Sequence, residues 1–322
     1  MTTGEGITTG GGITTYWARG DQPGATRRVE VIGHRGARGL FPENTIEGFR
    51  QCLDLGVRSF ELDVGMTADG VVVVSHNPAL DPAITRDSAG RWLSGPPPLI
   101  HHLTFDALRS YDVGRIRPAT PYRILHRAQK GLDGVRIPTL AEVLLLSPEA
   151  NFIIELKTDP RHPGWTADPV TLADAVLAVV DGAGAGARVI LESFDWRGPR
   201  HIRRTRPELR LAWLTRDKTV RDAALWWDGV TPADFENSVA AAVAAQKGQC
   251  GNQCRGQCGA EIWAPAFDTL SRAAVAEAHE LGLRVIPWTV NRRAAMRRLI
   301  GWGVDGLITD RPDIAMALTG DR

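Results

Sequence analysis

Apolar residues recur along the chain in short β-branched runs, separated by stretches in which they return at helical spacing. The runs lie at 29–34 (VEVIGH), 58–64 (RSFELDV), 151–157 (NFIIELK), 188–194 (RVILESF), 209–215 (LRLAWLT), 261–267 (EIWAPAF), 284–290 (RVIPWTV) and 305–310 (DGLITD). Most are apolar on both faces, as strands covered on both sides must be. NTIEGFRQCLDLG, TLAEVLLL, PVTLADAVLAVVD, ENSVAAAVAAQ, SRAAVAEAHELG and RRAAMRRLIGWG read as helices between them. Strand and helix in alternation imply right-handed βαβ units around a parallel sheet. About eight such units predict an α/β fold, the TIM (β/α)8 barrel.

Two stretches break the rhythm. VVVVSH (71–76) follows the second strand after only the tight-turn sequence TADG. A parallel partner needs a longer crossover, so this run is expected to pair antiparallel as a hairpin extension. From about 78 to 135 the periodicity is lost in a Pro-, Gly- and Arg-rich segment, expected to be an insertion that caps the barrel mouth. Residues 1–28, rich in Gly and Thr, read as a flexible tail, and 29–322 as a single catalytic domain.

The 322 residues are 43% hydrophobic and 23% charged, enough for a large core, and the net charge of +1 carries no global footprint for nucleic acid or an acidic membrane. No apolar run approaches the roughly 18 residues of a membrane span, so stable membrane insertion is not expected. The first residues lack the apolar core of a secretory signal, and the expected compartment is the cytoplasm. Cys52 reads as a small core residue within a helix. Cys250, Cys254 and Cys258 fall between a helix and a strand, on the barrel face opposite an active site. Their spacing suits neither zinc nor iron–sulfur ligation well, and free thiols, a disulfide and a metal site all stay open.

The chemistry gathers at strand ends. Glu61 and Asp63 point the same way from one strand, where two inward carboxylates repel unless a cation lies between them. A hard divalent ion bound by oxygen answers that, as would nearby arginines. Glu155 and Lys157 repeat the arrangement on the next barrel strand, so Glu155 is a candidate third ligand and Lys157 an adjacent positive charge. His34 and Arg35 end the first strand and His76 ends the hairpin. Arg35 offers a planar fork suited to phosphate. Asn44 reads as the N-cap of the following helix, with Glu47 closing a capping box. Two histidines, three carboxylates, an arginine and a lysine form the inventory for metal-assisted phosphodiester cleavage.

The ordered motifs GHRGARGLFPENT, ELDVGMTADGVVVVSH, IPTLAEVL, IELK, PWTVN and GVDGLITDRPD resemble the glycerophosphodiester phosphodiesterase family, from Ile32 to about Asp313. The resemblance implies a TIM-barrel hydrolase that releases sn-glycerol 3-phosphate and an alcohol from a small-molecule glycerophosphodiester. It implies His34 and His76 as the acid/base pair and Glu61, Asp63 and Glu155 as ligands of Mg²⁺ or Ca²⁺. Arg35 and Lys157 would hold the phosphate, Trp288 would form an apolar wall, and Glu43 would share the pocket without an assigned role. One departure stands out: Asn77 occupies the place of the family's Asp after the second histidine. Its neutral side chain is expected to lower the proton affinity of His76. Two other readings remain open at this point, a lysophospholipase D-like enzyme and a non-catalytic phosphate- or polyol-binding barrel.

Overall fold

The computed structural model describes residues 29–247 and 261–320. The expected tail and Cys250, Cys254 and Cys258 lie outside the described residues. Eight parallel strands make the barrel: β1 (Glu30–His34), β2 (Ser59–Met66), β4 (Asn151–Leu156), β5 (Val189–Ser193), β6 (Arg210–Thr215), β7 (Glu261–Pro265), β8 (Arg284–Val285) and β9 (Gly306–Thr309). Their order is β8-β7-β6-β5-β4-β2-β1-β9. Between the β8 segment and β9 the ring is drawn together by backbone bonds, Asp305 N to Val285 O, Ile308 N to Pro287 O and Val290 N to Ile308 O. The seventh run was expected over 284–290 but is regular for only two residues, because Pro287 has no amide to donate to the ladder.

Alternation along each strand sorts the core into two layers. Ile32, Ile153, Ile190, Leu214, Ile262, Ile286 and Ile308 fill the barrel interior. The opposite set, including Phe60, Leu62, Phe152, Ile154, Leu191 and Trp213, packs against the surrounding helices. The predicted helices form α1 (Ile46–Asp54), α4 (Leu140–Leu144), α5 (Pro169–Gly182), α9 (Val239–Ala244), α10 (Arg272–Glu280) and α11 (Arg293–Trp302). Each has local start chemistry where it matters: Thr139 and Glu142 close a capping box on α4, and Asp168 caps α5 ahead of Pro169. Helices α6 (Arg197–Thr205) and α12 (Pro312–Thr319) were not predicted. The α6 segment is polar and carries Gly198 and Pro199, so its apolar period is faint. Cys52 is buried on α1 as expected.

The hairpin is present: β3 (Val72–Val74) pairs antiparallel with β2. Residues 78–135 hold more order than their composition suggests. Short helices α2 (Phe105–Leu108) and α3 (Pro121–Leu125) and isolated bridges tie the segment together. Its apolar residues Leu80, Ile100, Leu108, Val113 and Val135 form a satellite core with Val73 and Ile137. The short helices α7 (Asp217–Arg221) and α8 (Ala223–Trp226) follow β6.

Candidate active site

The carboxyl end of β1 is built by a tight reversal. A Cβ on Gly33 would stand 1.9 Å from the carbonyl oxygen of Gly36, so only glycine permits the turn. Arg35 adopts φ +51°, and its backbone amide donates to Glu61 Oε2 at 3.1 Å. His34 is thereby placed over β2, with Nε2 3.6 Å from Glu61 Oε2 and Nδ1 2.5 Å from Asp310 Oδ1.

Glu61, Asp63 and Glu155 each offer a carboxylate oxygen, and these atoms lie within 4.8 Å of one another. All three are buried. The register explains the meeting: Asp63 stands opposite Glu155 across the β2–β4 ladder, and Glu61 is two residues back on the same face. Lys157 Nζ lies 2.8 Å from Glu155 Oε1 and 3.5 Å from Asp63 Oδ1. Arg35 Nε approaches Asp63 Oδ2 at 3.2 Å and its Nη1 donates to Glu43 Oε1 at 2.7 Å. His76 follows β3 and holds Nδ1 2.6 Å from Asn77 Oδ1.

His34, His76, Glu61, Glu155, Lys157 and Trp288 line one cavity of about 280 Å³ at the strand ends. Asp63 and Glu43 sit behind that wall with Arg35, whose guanidinium is occupied by their carboxylates. The opposite wall is apolar, with Phe194 and Trp288 edge to face at 5.4 Å and Leu214 and Trp226 beside them.

Burial sets most of the proton affinities. It lowers His34 to about 4, aided by Arg38 and opposed by Asp310. Burial, Arg35 and Lys157 hold His76 well below the ordinary histidine range. Burial and the neighbouring acids Asp63, Glu192 and Glu155 push Glu61 well up. Burial and Asp63 raise Glu155 to about 7 against the pull of Lys157. Asp63 stays well below the usual carboxylate range, because His76, Arg35, Lys157 and the Asn44 hydrogen bond outweigh its burial.

The donor set fits a hard divalent cation. It is all oxygen, its carboxylates crowd without enough positive charge, and buried Asp63 Oδ1 has no hydrogen-bond donor. Glu61, Asp63 and Glu155 are the residues that would hold it.

One expectation fails. Asn44 is not the helix cap. Thr45 is, its Oγ1 accepting the Gly48 amide at 3.0 Å, and no capping box through Glu47 forms there. Asn44 takes φ +53°, which turns its side chain inward to donate to Asp63 Oδ2 at 3.0 Å. It belongs to the acidic cluster.

Four further residues join the site. Asp310 bonds His34 and accepts from Arg38 Nε at 2.7 Å and Asn291 Nδ2 at 2.6 Å. Asp310 and Asn291 stand in GVDGLITDRPD and PWTVN, so their signal was position at a strand end. Glu192 faces the cavity from β5, opposite Glu155 in register, and the strand-end argument that singled out Glu155 applies to it equally. Tyr122, from α3, donates its hydroxyl to Glu43 Oε2, a contact between distant segments that has no sequence signal.

A family profile described as the glycerophosphoryl diester phosphodiesterase family matches residues 34–314. The chain belongs to this family. It is therefore a hydrolase of phosphodiesters. The glycerophosphodiester phosphodiesterase of Bacillus subtilis is 28% identical over 289 residues, covering 89% of this chain and 85% of that protein. The crystal structure of a putative family member from Silicibacter pomeroyi is 38% identical and superposes with a TM-score of 0.81 over 92% of this chain and 95% of that one. A phosphodiesterase from Oleispira antarctica, solved with the product sn-glycerol-3-phosphate, shares the fold at 16% identity and a TM-score of 0.62, covering 92% of this chain and 98% of that one.

Proposed function

We propose that the chain hydrolyses glycerophosphodiesters to sn-glycerol 3-phosphate and an alcohol, with His34 and His76 as the proton-transfer pair and a divalent cation, Mg²⁺ or Ca²⁺, on Glu61, Asp63 and Glu155. Residues 29–322 act as one catalytic unit with 78–135 forming part of the mouth. The observation that carries this reading is the meeting of three buried carboxylates, two of which, Glu61 and Glu155, line one cavity with His34 and His76. The product is that found in the Oleispira antarctica neighbour.

When bound, the cation would polarise a phosphoryl oxygen and favour ionisation of the attacking water. The chain's own groups do the rest. Asp310 holds Nδ1 of His34, leaving Nε2 to take the proton of the attacking water, and its charge stabilises the imidazolium so formed. A bond forms from that oxygen to phosphorus, and the bond to the alcohol oxygen breaks. His76 returns a proton to the departing oxygen. The anionic substrate raises the proton affinity of His76, offsetting Arg35 and Lys157. Lys157 meets the phosphate from the cavity wall, with Arg35 supplying positive potential behind it. Trp288, Phe194 and Leu214 shelter the organic portion.

The test is a panel of glycerophosphodiesters and lysophospholipids assayed with chelator, then with added Mg²⁺, Ca²⁺ or Mn²⁺. Chelation is expected to abolish turnover of the glycerophosphodiesters and a divalent ion to restore it. Full activity in the metal-free protein would remove the three carboxylates from the ligand set. Turnover of lysophospholipids alone would move the chain to the lysophospholipase D-like reading, and no turnover of either to a binding barrel.

A further inference from the structure

The side chains of helix α3 have opposite fates. Tyr122 reaches inward to Glu43, which in turn grips Arg35. Ile124 and Leu125 are 66% and 75% exposed, among the most exposed large apolar side chains of the described residues. The helix is pinned to the mouth from both sides. Thr120 caps it, Gln129 Nε2 donates to Arg38 O, and the Lys130 amide donates to Leu40 O of the loop after β1. The apolar pair is therefore held out to solvent at the catalytic end of the barrel.

The charge around it is one-sided. Residues 113–132 contain Arg115, Arg117, Arg123, Arg127 and Lys130 and no acid, in a chain whose net charge is only +1. Arg115 is engaged by Asp133, and Arg117 and Arg123 by backbone carbonyls. Arg127 and Lys130 are exposed, and their side chains bond nothing among the described residues. Trp165, 45% exposed in the loop after β4, adds an aromatic at the same end of the barrel. Exposed aliphatics flanked by free cations match the chemistry of an anionic lipid surface, which offers a negative potential outside and hydrocarbon beneath.

We propose that the α3 tip is a peripheral docking point for anionic bilayers. Ile124 and Leu125 enter the interface, Arg127 and Lys130 lie against the headgroups, and the cavity mouth faces the lipid. The attachment is shallow and reversible, since two side chains and a few cations are far from the anchoring strength of a spanning helix.

The full chain is sedimented with vesicles of phosphatidylcholine alone and of phosphatidylcholine mixed with phosphatidylglycerol. Partitioning is expected to favour the anionic vesicles and to fall as salt rises. The Arg127→Glu, Lys130→Glu variant should weaken it by about fivefold or more for each cation removed. The Ile124→Asp, Leu125→Asp variant should abolish it, with thermal unfolding and turnover of a soluble diester unchanged. Equal, weak recovery on both vesicles, or variants that bind as well as the parent, would overturn the proposal. So would concentration-dependent self-association abolished by the aspartates without any vesicle binding, which would assign the tip to a second copy.

Discussion

Asp310 shares one carboxylate oxygen between His34 and Arg38 and gives the other to Asn291. An Asp310→Asn variant keeps a hydrogen-bond partner for the ring but withdraws the charge that favours imidazolium. The expected result is a fall in kcat approaching the ~10²–10⁴-fold of a lost proton-transfer group. His34, already lowered to about 4 by burial and Arg38, would move further down. A kcat and pH profile matching the parent would take Asp310 out of the proton path. In the proposed mechanism the two histidines act as one unit, so His34→Ala combined with His76→Ala should be little worse than the poorer single variant, read as kcat/KM. Asn77 bonds His76 and also donates to Asp81 Oδ2 at 3.3 Å. An Asn77→Asp variant therefore has two opposed effects. A carboxylate beside the ring raises the proton affinity of His76, shifting that limb of the pH–rate profile upward. It also loses a donor and faces Asp81, costing about 1–2 kcal/mol of stability. An unshifted limb with intact stability would show that His76 does not titrate in turnover. The family's Asp would meet Asp81 here, which gives the asparagine a physical reason.

The loop into α1 separates structure from chemistry over two adjacent residues. Thr45 caps the helix and Asn44 braces Asp63. Thr45→Ala is expected to cost about 1 kcal/mol with kcat nearly unchanged. Asn44→Ala should cost activity as well, because it releases Asp63 and loses a residue that tolerates the left-handed backbone. Thermal unfolding and steady-state kinetics on the pair give the contrast, and equal kinetic losses would contradict it. The sequence placed the cap one residue early because Asn and Thr are both good caps. Only the positive φ at Asn44 aims its side chain at Asp63 and leaves the helix cap to Thr45. The strands were legible because burial on both faces leaves long apolar runs. The seventh was overextended because Pro287 interrupts a ladder without interrupting apolarity. In 78–135 the satellite core is assembled from apolar residues far apart in sequence, so no local period announces it.

Across the whole molecule the acidic cluster is a stability liability that a bound cation would relieve. Glu61, Asp63, Glu155 and Glu192 are buried together, and Glu192 Oε2 and Asp63 Oδ1 have no hydrogen-bond donor among the described residues. A divalent ion that binds only the folded chain stabilises it by about 2.7 kcal/mol at a hundredfold excess over Kd. Thermal unfolding should thus rise with added cation in the parent. Asp63→Asn should remove that response, and it should also cost stability in the metal-free protein by withdrawing the charge that Arg35 and Lys157 engage. A parent whose unfolding temperature ignores divalent ions would argue against the cluster as a cation site. The sequence by itself determined the alternation that makes a barrel and the acids, histidines and lysine at strand ends, because both follow from local period and residue type. Tertiary structure alone decided what holds those groups. Asp310 meets His34 across 276 residues, and Tyr122 meets Glu43 across 79. Such partners are fixed by closure of the ring and by the fold of the insertion, and no local period or spacing along the chain encodes them.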